Sequence, residues 1–583
     1  MHCTTWGPAA LKPRLRQVLA AVVAGLCAAT SCAGTVTPIQ HVIVVVGENR
    51  TFDNLYGVYQ PQRGQTVSNL LSRGIVTAQG LPGPNFKLAR QATARQSGDY
   101  SPTPPQDGVY AELPAPHALG AAGQGSRGPD QRVDGPLPNG PYQITRHVSY
   151  GAHTGDPVHR FFQMWQQMDG GKNDLFVWTS ETAGAGPSTG PSREPPKGTF
   201  QGGIAMGFYN MAQGDAPYFK HLADRYALAD NYHQSVMGGT TTNYFSLATA
   251  DMATYDEAGK LAMPPAKRIE NPNTQPGTNN WWVEDGYDGG TYVNCADATQ
   301  PGVAGIRRFL ASLPYRTFND GNCEPGAYYM VNNLDPGYSA TGQALEIKPD
   351  SFLVPPQTMP HIGDALSAAG VSWKWYSGGR NHGDDANGEY CKTCDALTQF
   401  RSTMTGPDRE KLQDLSQFYV DVRGSAASFP AFSVIAPYDS ISGHPGYSLQ
   451  PSFEYLVKDV VEHVQRNPAL WKNTVVLVTF DEGGGYYDSG YTQFIDFFGD
   501  GTRVPMVAVS PFAKRGHVDH TYYDHASILK FVERNWGLAP LSKRSRDNLP
   551  NPVHSARQPY VPLNRPAVGD LMNLFDFSKG RAP

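Results

Sequence analysis

The chain has 583 residues, 40% of them apolar and 11% aromatic, with 62 glycines and 48 prolines. That apolar content supports a large core, so the glycine and proline richness indicates long surface loops and excludes a disordered chain. The formal net charge of −5, with no basic stripe, excludes nucleic acid as a partner.

In chain order, Lys12, Arg14 and Arg16 precede an apolar segment at 18–29, then the small residues Thr30, Ser31, Cys32 and Ala33. This is the three-part layout of a secretory signal, too short to span a bilayer, and no later stretch reaches transmembrane length. Cleavage after Ala33 is expected, with lipidation at Cys32 as the alternative. The remainder, 34–583, reads as one exported catalytic domain, periplasmic or secreted. Residues 40–47 (QHVIVVVG) predict a strand buried on both faces that ends in Glu48, Asn49 and Arg50. From 58 to 145 the chain is loop-like, an insertion wrapped over the surface and a candidate lid.

DPVHRFFQMWQQMDGGKNDLF (156–176) predicts a helix with an aromatic face, and 216–228 predicts another that leads to GGTTTN at 238–243. A second insertion covers 255–350. Alternation then resumes with a helix at 359–369 and strands at 372–376 and 432–436. The helix after Ser452 carries Phe453, Leu456, Val457, Val460, Val461 and Val464 on one stripe. It feeds the strand in TVVLVTFDEGGGYYD (474–488), after which come a strand at 504–510, a helix capped by Asp524, and a Pro-rich tail from about 545. Strands alternating with helices predict an α/β fold, a three-layer α/β/α sandwich on a mainly parallel sheet with long loop-rich insertions.

Of seven cysteines, Cys3, Cys27 and Cys32 lie in or beside the signal. Cys295, Cys323, Cys391 and Cys394 suggest two disulfides, most simply Cys295–Cys323 and Cys391–Cys394, among the three connectivities that four cysteines allow. The CKTC pair could instead bind zinc or be redox-active.

Ligands bind beyond the carboxyl ends of strands in open α/β sheets. Two buried strands deliver Glu48 and Asn49, and Asp481 and Glu482, to one such edge, an oxygen-rich set suited to a hard divalent ion. Gly483, Gly484 and Gly485 let the backbone approach something closely. Thr240 is a candidate hydroxyl nucleophile if activated by that ion. His444, in SGHPG, and His159, at the start of a helix, are candidate proton donors. Lys172 could touch phosphate or be solvated. HVDHTYYDH (517–525) reads as structural, because its spacing fits no standard zinc pattern. Taken singly, each of these residues also has an ordinary structural explanation.

The blocks IQHVIVVVGENRTFDNLYG, DPVHRFFQMWQQMDGGKND, LADRYALADNYHQSVMGGTTTN, SGHPG, VTFDEGGGYYD and RVPMVAVSPFAKRGHVDHTYYDHASILKF, in this order, resemble a bacterial phosphoesterase family. That family contains acid phosphatases of the AcpA type and non-haemolytic phospholipases C, in the alkaline-phosphatase-like superfamily. The resemblance runs from about residue 40 to about 540. It implies one divalent metal ion held by Glu48, Asn49, Asp481 and Glu482, with Thr240 as the nucleophile also touching the metal. It further implies His444 as proton donor to the leaving oxygen and His159 as a phosphoryl contact. Relatives carry GPTxPN where this chain has GGTTTN, so Thr241 stays open as an alternative nucleophile. YCKTC stands where the acid phosphatases have paired histidines, and Ser489 stands where a histidine is common. The expectation is an exported, metal-dependent phosphoric ester hydrolase. Its substrate would be a small phosphomonoester first, through a phosphothreonine intermediate, or second the choline-type phospholipid head group of a phospholipase C. A secreted binding protein on a decayed hydrolase scaffold is the rival of another class.

Overall fold

The computed structural model describes residues 34–95, 99–116, 129–182, 201–273, 290–349, 351–383 and 389–579. The signal-like segment at 1–33 lies outside the described residues.

An eight-stranded sheet forms the middle layer. In chain order its strands are β1 (His41–Gly47), β2 (Ala227–Ala229), β3 (Trp373–Ser377), β4 (Leu412–Asp414), β5 (Phe432–Ala436), β6 (Thr474–Phe480), β7 (Met506–Val509) and β8 (His517–Asp519). Across the sheet they lie in the order β4-β3-β5-β1-β6-β7-β2-β8. The sheet is mainly parallel, with β7 antiparallel to both of its neighbours. β1 and β6 sit at the centre, rich in Val and buried at every residue, as strands covered on both faces must be.

Five helices matter to the site: α1 (Phe161–Met168), α2 (Pro217–Arg225), α3 (Thr240–Thr249), α4 (Gln450–Gln465) and α5 (Ala526–Trp536). Phe480 of β6 packs on Phe453 of α4 and Phe219 of α2, at ring separations of 5.1 and 6.0 Å. Its neighbour Thr479 points the opposite way and meets the Tyr232 hydroxyl, which bonds His525 Nδ1 (2.9 Å) just before α5. α3 packs against α5 on that second face. The molecule is therefore an α/β protein with a helical layer on each side of the sheet.

The register places the site. β1 and β6 pair in parallel from His41↔Thr474 to Gly47↔Phe480, so Glu48 and Asp481 leave the sheet side by side. β5 pairs with the other edge of β1, which brings SGHPG to the same end.

Several elements differ from the sequence reading. The helix expected over 156–176 is broken: 156–160 is extended, α1 is short, and Asp169 (φ 39°), Gly170 (φ 66°) and Gly171 (φ 96°) turn the chain left-handed before a second helix, Phe176–Thr182. His159 thus precedes a helix rather than starting one. GGTTTN is the entry to α3, and His525 rather than Asp524 holds the N-cap position of α5. The disulfides, by contrast, are the two expected as simplest, Cys295–Cys323 and Cys391–Cys394. The tail lies across the body: Phe575 packs on Phe531 at 5.3 Å, and Gln493 donates to the Ala567 carbonyl at 2.9 Å.

One buried arginine ties these parts together. Arg503, just before β7, holds Asp488 through two hydrogen bonds (2.8 and 2.9 Å), lies 3.3 Å from Asp53, and donates to the carbonyls of Ser68 (2.6 Å) and Asp230 (2.9 Å). Removing one partner from such a network leaves buried charge uncompensated, at about 3–5 kcal/mol. Arg503→Ala is therefore expected to lower the urea midpoint by that much stability, with Arg503→Lys recovering only part; an unchanged midpoint would show the network to be idle.

Candidate active site

The loops that leave β1 and β6 are stitched to one another. Asp481 N donates to the Gly47 carbonyl (2.9 Å), Asn49 N to Asp481 Oδ1 (3.1 Å), and Arg50 N to the Glu482 carbonyl (3.0 Å). Asn49 adopts φ 62°, a left-handed conformation that asparagine tolerates better than most residues. The three glycines serve this closeness. A Cβ on Gly484 (φ +58°) would lie 2.4 Å from Asn49 Cβ, and one on Gly485 (φ +74°) would lie 2.2 Å from the Val158 carbonyl oxygen. The loop is thus pressed between Asn49 and the segment that carries His159.

Thr240 is the first residue of α3 and is buried at the helix's positive end, a favourable place for an anion. Its hydroxyl meets the Asp481 carboxylate and favours that group's charged form. The other two threonines are engaged elsewhere: Thr241 Oγ1 donates to the Leu334 carbonyl (3.1 Å) and Thr242 Oγ1 to the Gly239 carbonyl (2.7 Å). Thr241 is turned away from the carboxylates.

His444 Nδ1 donates to the Pro445 carbonyl (2.6 Å), so its Nε2 is free to accept from Asn49 Nδ2 (2.9 Å). Burial first, and then neighbouring His159, push its pKa down to about 3. His159 Nδ1 donates to the Pro157 carbonyl (2.7 Å), and its Nε2 stands 4.0 Å from Glu482 Oε1. Burial pushes His159 down to about 4. Lys172 is outside the site, paired with Asp169 (2.6 Å) and 61% exposed.

The carboxylates form a concentration of buried negative charge. Glu48 is pushed well above the ordinary range by burial, then by the carboxylates of Asp481, Asp439 and Asp156, against the Tyr447 hydroxyl. Burial pushes Asp481 up to about 7. Asn49 Oδ1 and Asp481 Oδ2 are buried without a hydrogen-bond partner. Acids raised by burial and, for Glu48, by neighbouring carboxylates, with orphaned oxygens and a hydroxyl, are a donor set that fits a hard divalent cation.

A family model, the Phosphoesterase family, matches residues 39–539. The chain belongs to the Phosphoesterase family. It is similar to the hemolytic phospholipase C of Pseudomonas aeruginosa, 24% identical over 576 residues, which cover 93% of this chain and 57% of that protein. Phospholipase C B of Mycobacterium tuberculosis is 22% identical over 544 residues, 87% of this chain and 75% of that one. A probable acid phosphatase of Kluyveromyces lactis is 26% identical over 231 residues, 37% of this chain and 52% of that protein. The chain thus spans little more than half of the first of these relatives. Among solved structures, a Vibrio parahaemolyticus protein of the alkaline phosphatase superfamily matches at TM-score 0.27 and 9% identity, over 57% of this chain and 63% of that one.

Three residues beside these carboxylates were not singled out in the sequence. Asp156 Oδ1 lies 3.8 Å from His159 Nδ1 and 3.5 Å from Asn49 Nδ2. The Tyr447 ring stacks on His444 at 4.3 Å. His525 Nε2 donates to the Asp481 carbonyl (2.6 Å), fixing the Asp481 loop from the second face. Asp156 opens the DPVHRFF block and Tyr447 lies three residues past His444, so both stood beside motifs already marked. Ser489 is structural, its backbone N donating to Asp53 Oδ2 (2.8 Å).

Burial raises Asp481 to about 7, so a cation taken up by its carboxylate would displace a proton below that pH. Below that pH the proton competes, so apparent affinity for Mg²⁺ or Mn²⁺ should weaken by about tenfold per unit per proton released. Calorimetric titration below and above that pH checks this, and a flat profile would remove Asp481 from the ligand set.

Proposed function

We propose that this chain is an exported, metal-dependent phosphoric ester hydrolase that works through a phosphothreonine on Thr240. The observation that carries the reading is the Thr240 hydroxyl, held at a helix N-terminus against a buried set of oxygen donors. A hard divalent ion held by Glu48, Asn49, Asp481 and Glu482 would acidify that hydroxyl and neutralise phosphoryl charge. Asp481, whose carboxylate the hydroxyl meets, takes its proton. Thr240 Oγ attacks phosphorus in line, forming a P–O bond as the bond to the departing alcohol breaks. To serve that alcohol His444 must take up a proton on Nε2 in exchange for the Asn49 Nδ2–H it accepts at rest; a bound phosphoryl anion raises its pKa and favours this. Water then attacks phosphorus and gives a proton back to His444, as the P–Oγ bond to Thr240 breaks, Asp481 returns its proton to Oγ, and the phosphoryl product leaves. His159, whose Nδ1–H is held by the Pro157 carbonyl, would donate Nε2–H to the phosphoryl group as the imidazolium that the bound anion favours. Fixed dipoles and alignment supply most of the rate.

A cleft of about 400 Å³ adjoins Glu48 and favours a phosphodiester with a cationic head group. It is lined by the carboxylates of Asp335 and Asp439 and the rings of Tyr390 and Tyr447, against one ammonium, Lys392. This lining supports the second of the two expected substrates, the choline-type diester, over the first. The similarity to phospholipases C points the same way.

Hydrolysis of p-nitrophenylphosphorylcholine beside p-nitrophenyl phosphate, with and without a strong chelator, tests both statements. Diester turnover should exceed monoester turnover, vanish on chelation, and fall by about a thousandfold or more in Thr240→Ala but not in Thr241→Ala. Monoester turnover alone would restore the phosphatase reading, and silence on both would favour a binding protein. Burial, then Glu389, push Asp439 up to about 7. A cation prefers its ionised form, so KM for the choline diester should fall as pH rises through about 7, while the monoester KM does not follow.

A further inference from the structure

The CKTC motif has so far no part in the chemistry. In the structure Cys391 and Cys394 form a disulfide, and both sulfurs face Glu48. Cys394 Sγ lies 2.9 Å and Cys391 Sγ 3.8 Å from Glu48 Oε1. A disulfide sulfur has no hydrogen to donate, so the carboxylate rests against two sulfurs that give it nothing in this state. One ligand atom each from Glu48, Cys391 and Cys394 lies within 4.8 Å of the others, and all three residues are buried. Cys295–Cys323 belongs to no such group among the described residues. Cys391 lines the 400 Å³ cleft, whereas Cys394 is wholly enclosed behind it. A small dithiol entering the cleft therefore meets one sulfur first.

We propose that Cys391 and Cys394 are a redox-gated ligand pair which, once reduced by a dithiol, joins Glu48 in holding a thiophilic divalent ion of the zinc class. The dithiol's thiolate attacks Cys391 Sγ, and the S–S bond breaks with its electron pair passing to Cys394 Sγ, which takes up a proton. The second sulfur of the dithiol closes on the first, releasing Cys391 as a thiol and leaving the reductant as a cyclic disulfide. Two electrons have moved to the protein. A dication then displaces both thiol protons and takes two sulfurs and Glu48 Oε1 as donors, a set with the Cys-x-x-Cys spacing common at zinc centres. Oxidised, the centre presents oxygen donors to a hard ion. Reduced, the sulfurs draw Glu48 toward a softer one. The proposal rests on the position of Glu48 and not on which ester is cleaved.

The test uses cobalt(II) as the probe on the mature protein, oxidised or reduced with dithiothreitol and then freed of it anaerobically. Reduced wild type should gain one cobalt ion with a sulfur-to-metal charge-transfer absorption, bound at least about tenfold more tightly than by the oxidised form. The Cys391→Ser/Cys394→Ser double variant should show no such absorption after the same treatment, and Glu48→Gln should weaken binding by about tenfold. Absence of the band, its persistence in the double variant, indifference to Glu48→Gln, or thiols that appear only when the circular dichroism of the fold is lost would each overturn the proposal. Because the readout is the spectrum of the resting protein, failure of the hydrolase reading would appear separately, as absent turnover in the oxidised enzyme.

Discussion

Negative charge kept out of water is the constraint on which this molecule turns. Three carboxylates and an amide converge where β1 and β6 end, and burial alone would push the acids toward their neutral forms. The surrounding structure holds them in place regardless. Backbone hydrogen bonds stitch the two loops, glycines allow them to touch, and His525 clamps the Asp481 carbonyl from the second face. Such an arrangement is costly without a cation and favourable with one, and so it marks a function rather than a contribution to stability.

The scaffold around that charge is built for rigidity. Arg503 anchors Asp488 at the far end of the DEGGGYYD loop, and the same guanidinium reaches Asp53 beyond the ENR turn. Each acid-bearing loop is therefore held at both ends, by strand register on one side and by the shared Arg503 guanidinium on the other. Thr240 reaches the carboxylates from a third direction, through a helix whose residues are all buried.

The sequence showed the centre of this design better than its periphery. β1, β5 and β6 are continuous β-branched runs ended by polar clusters, and their register follows from burial on both faces. β2, β4 and β8 are only three residues long, too short for any period to show. α3 opens on glycines and β-branched threonines, weak helix formers that hide it from the sequence; tertiary burial and the Asn243 side chain, which donates to the Gly238 carbonyl (2.9 Å), outweigh that preference. The choice among three consecutive threonines was invisible to spacing, since it depends on which hydroxyl meets Asp481. CKTC could be read as disulfide, zinc site or redox pair, and only its contact with Glu48 gave those alternatives a common location.

The hydrogen bond between Asn49 and Asp481 closes a loop of 432 residues. Contacts of that span form late, after the intervening chain has lost most of its freedom. A nascent chain that has emerged through residue 440 already contains Glu48, Asn49 and Thr240, yet it has no strand on which to mount the second acid pair. Synthesis order thus keeps the two acid pairs apart: this cluster of buried carboxylates cannot assemble on an N-terminal fragment that ends before β6.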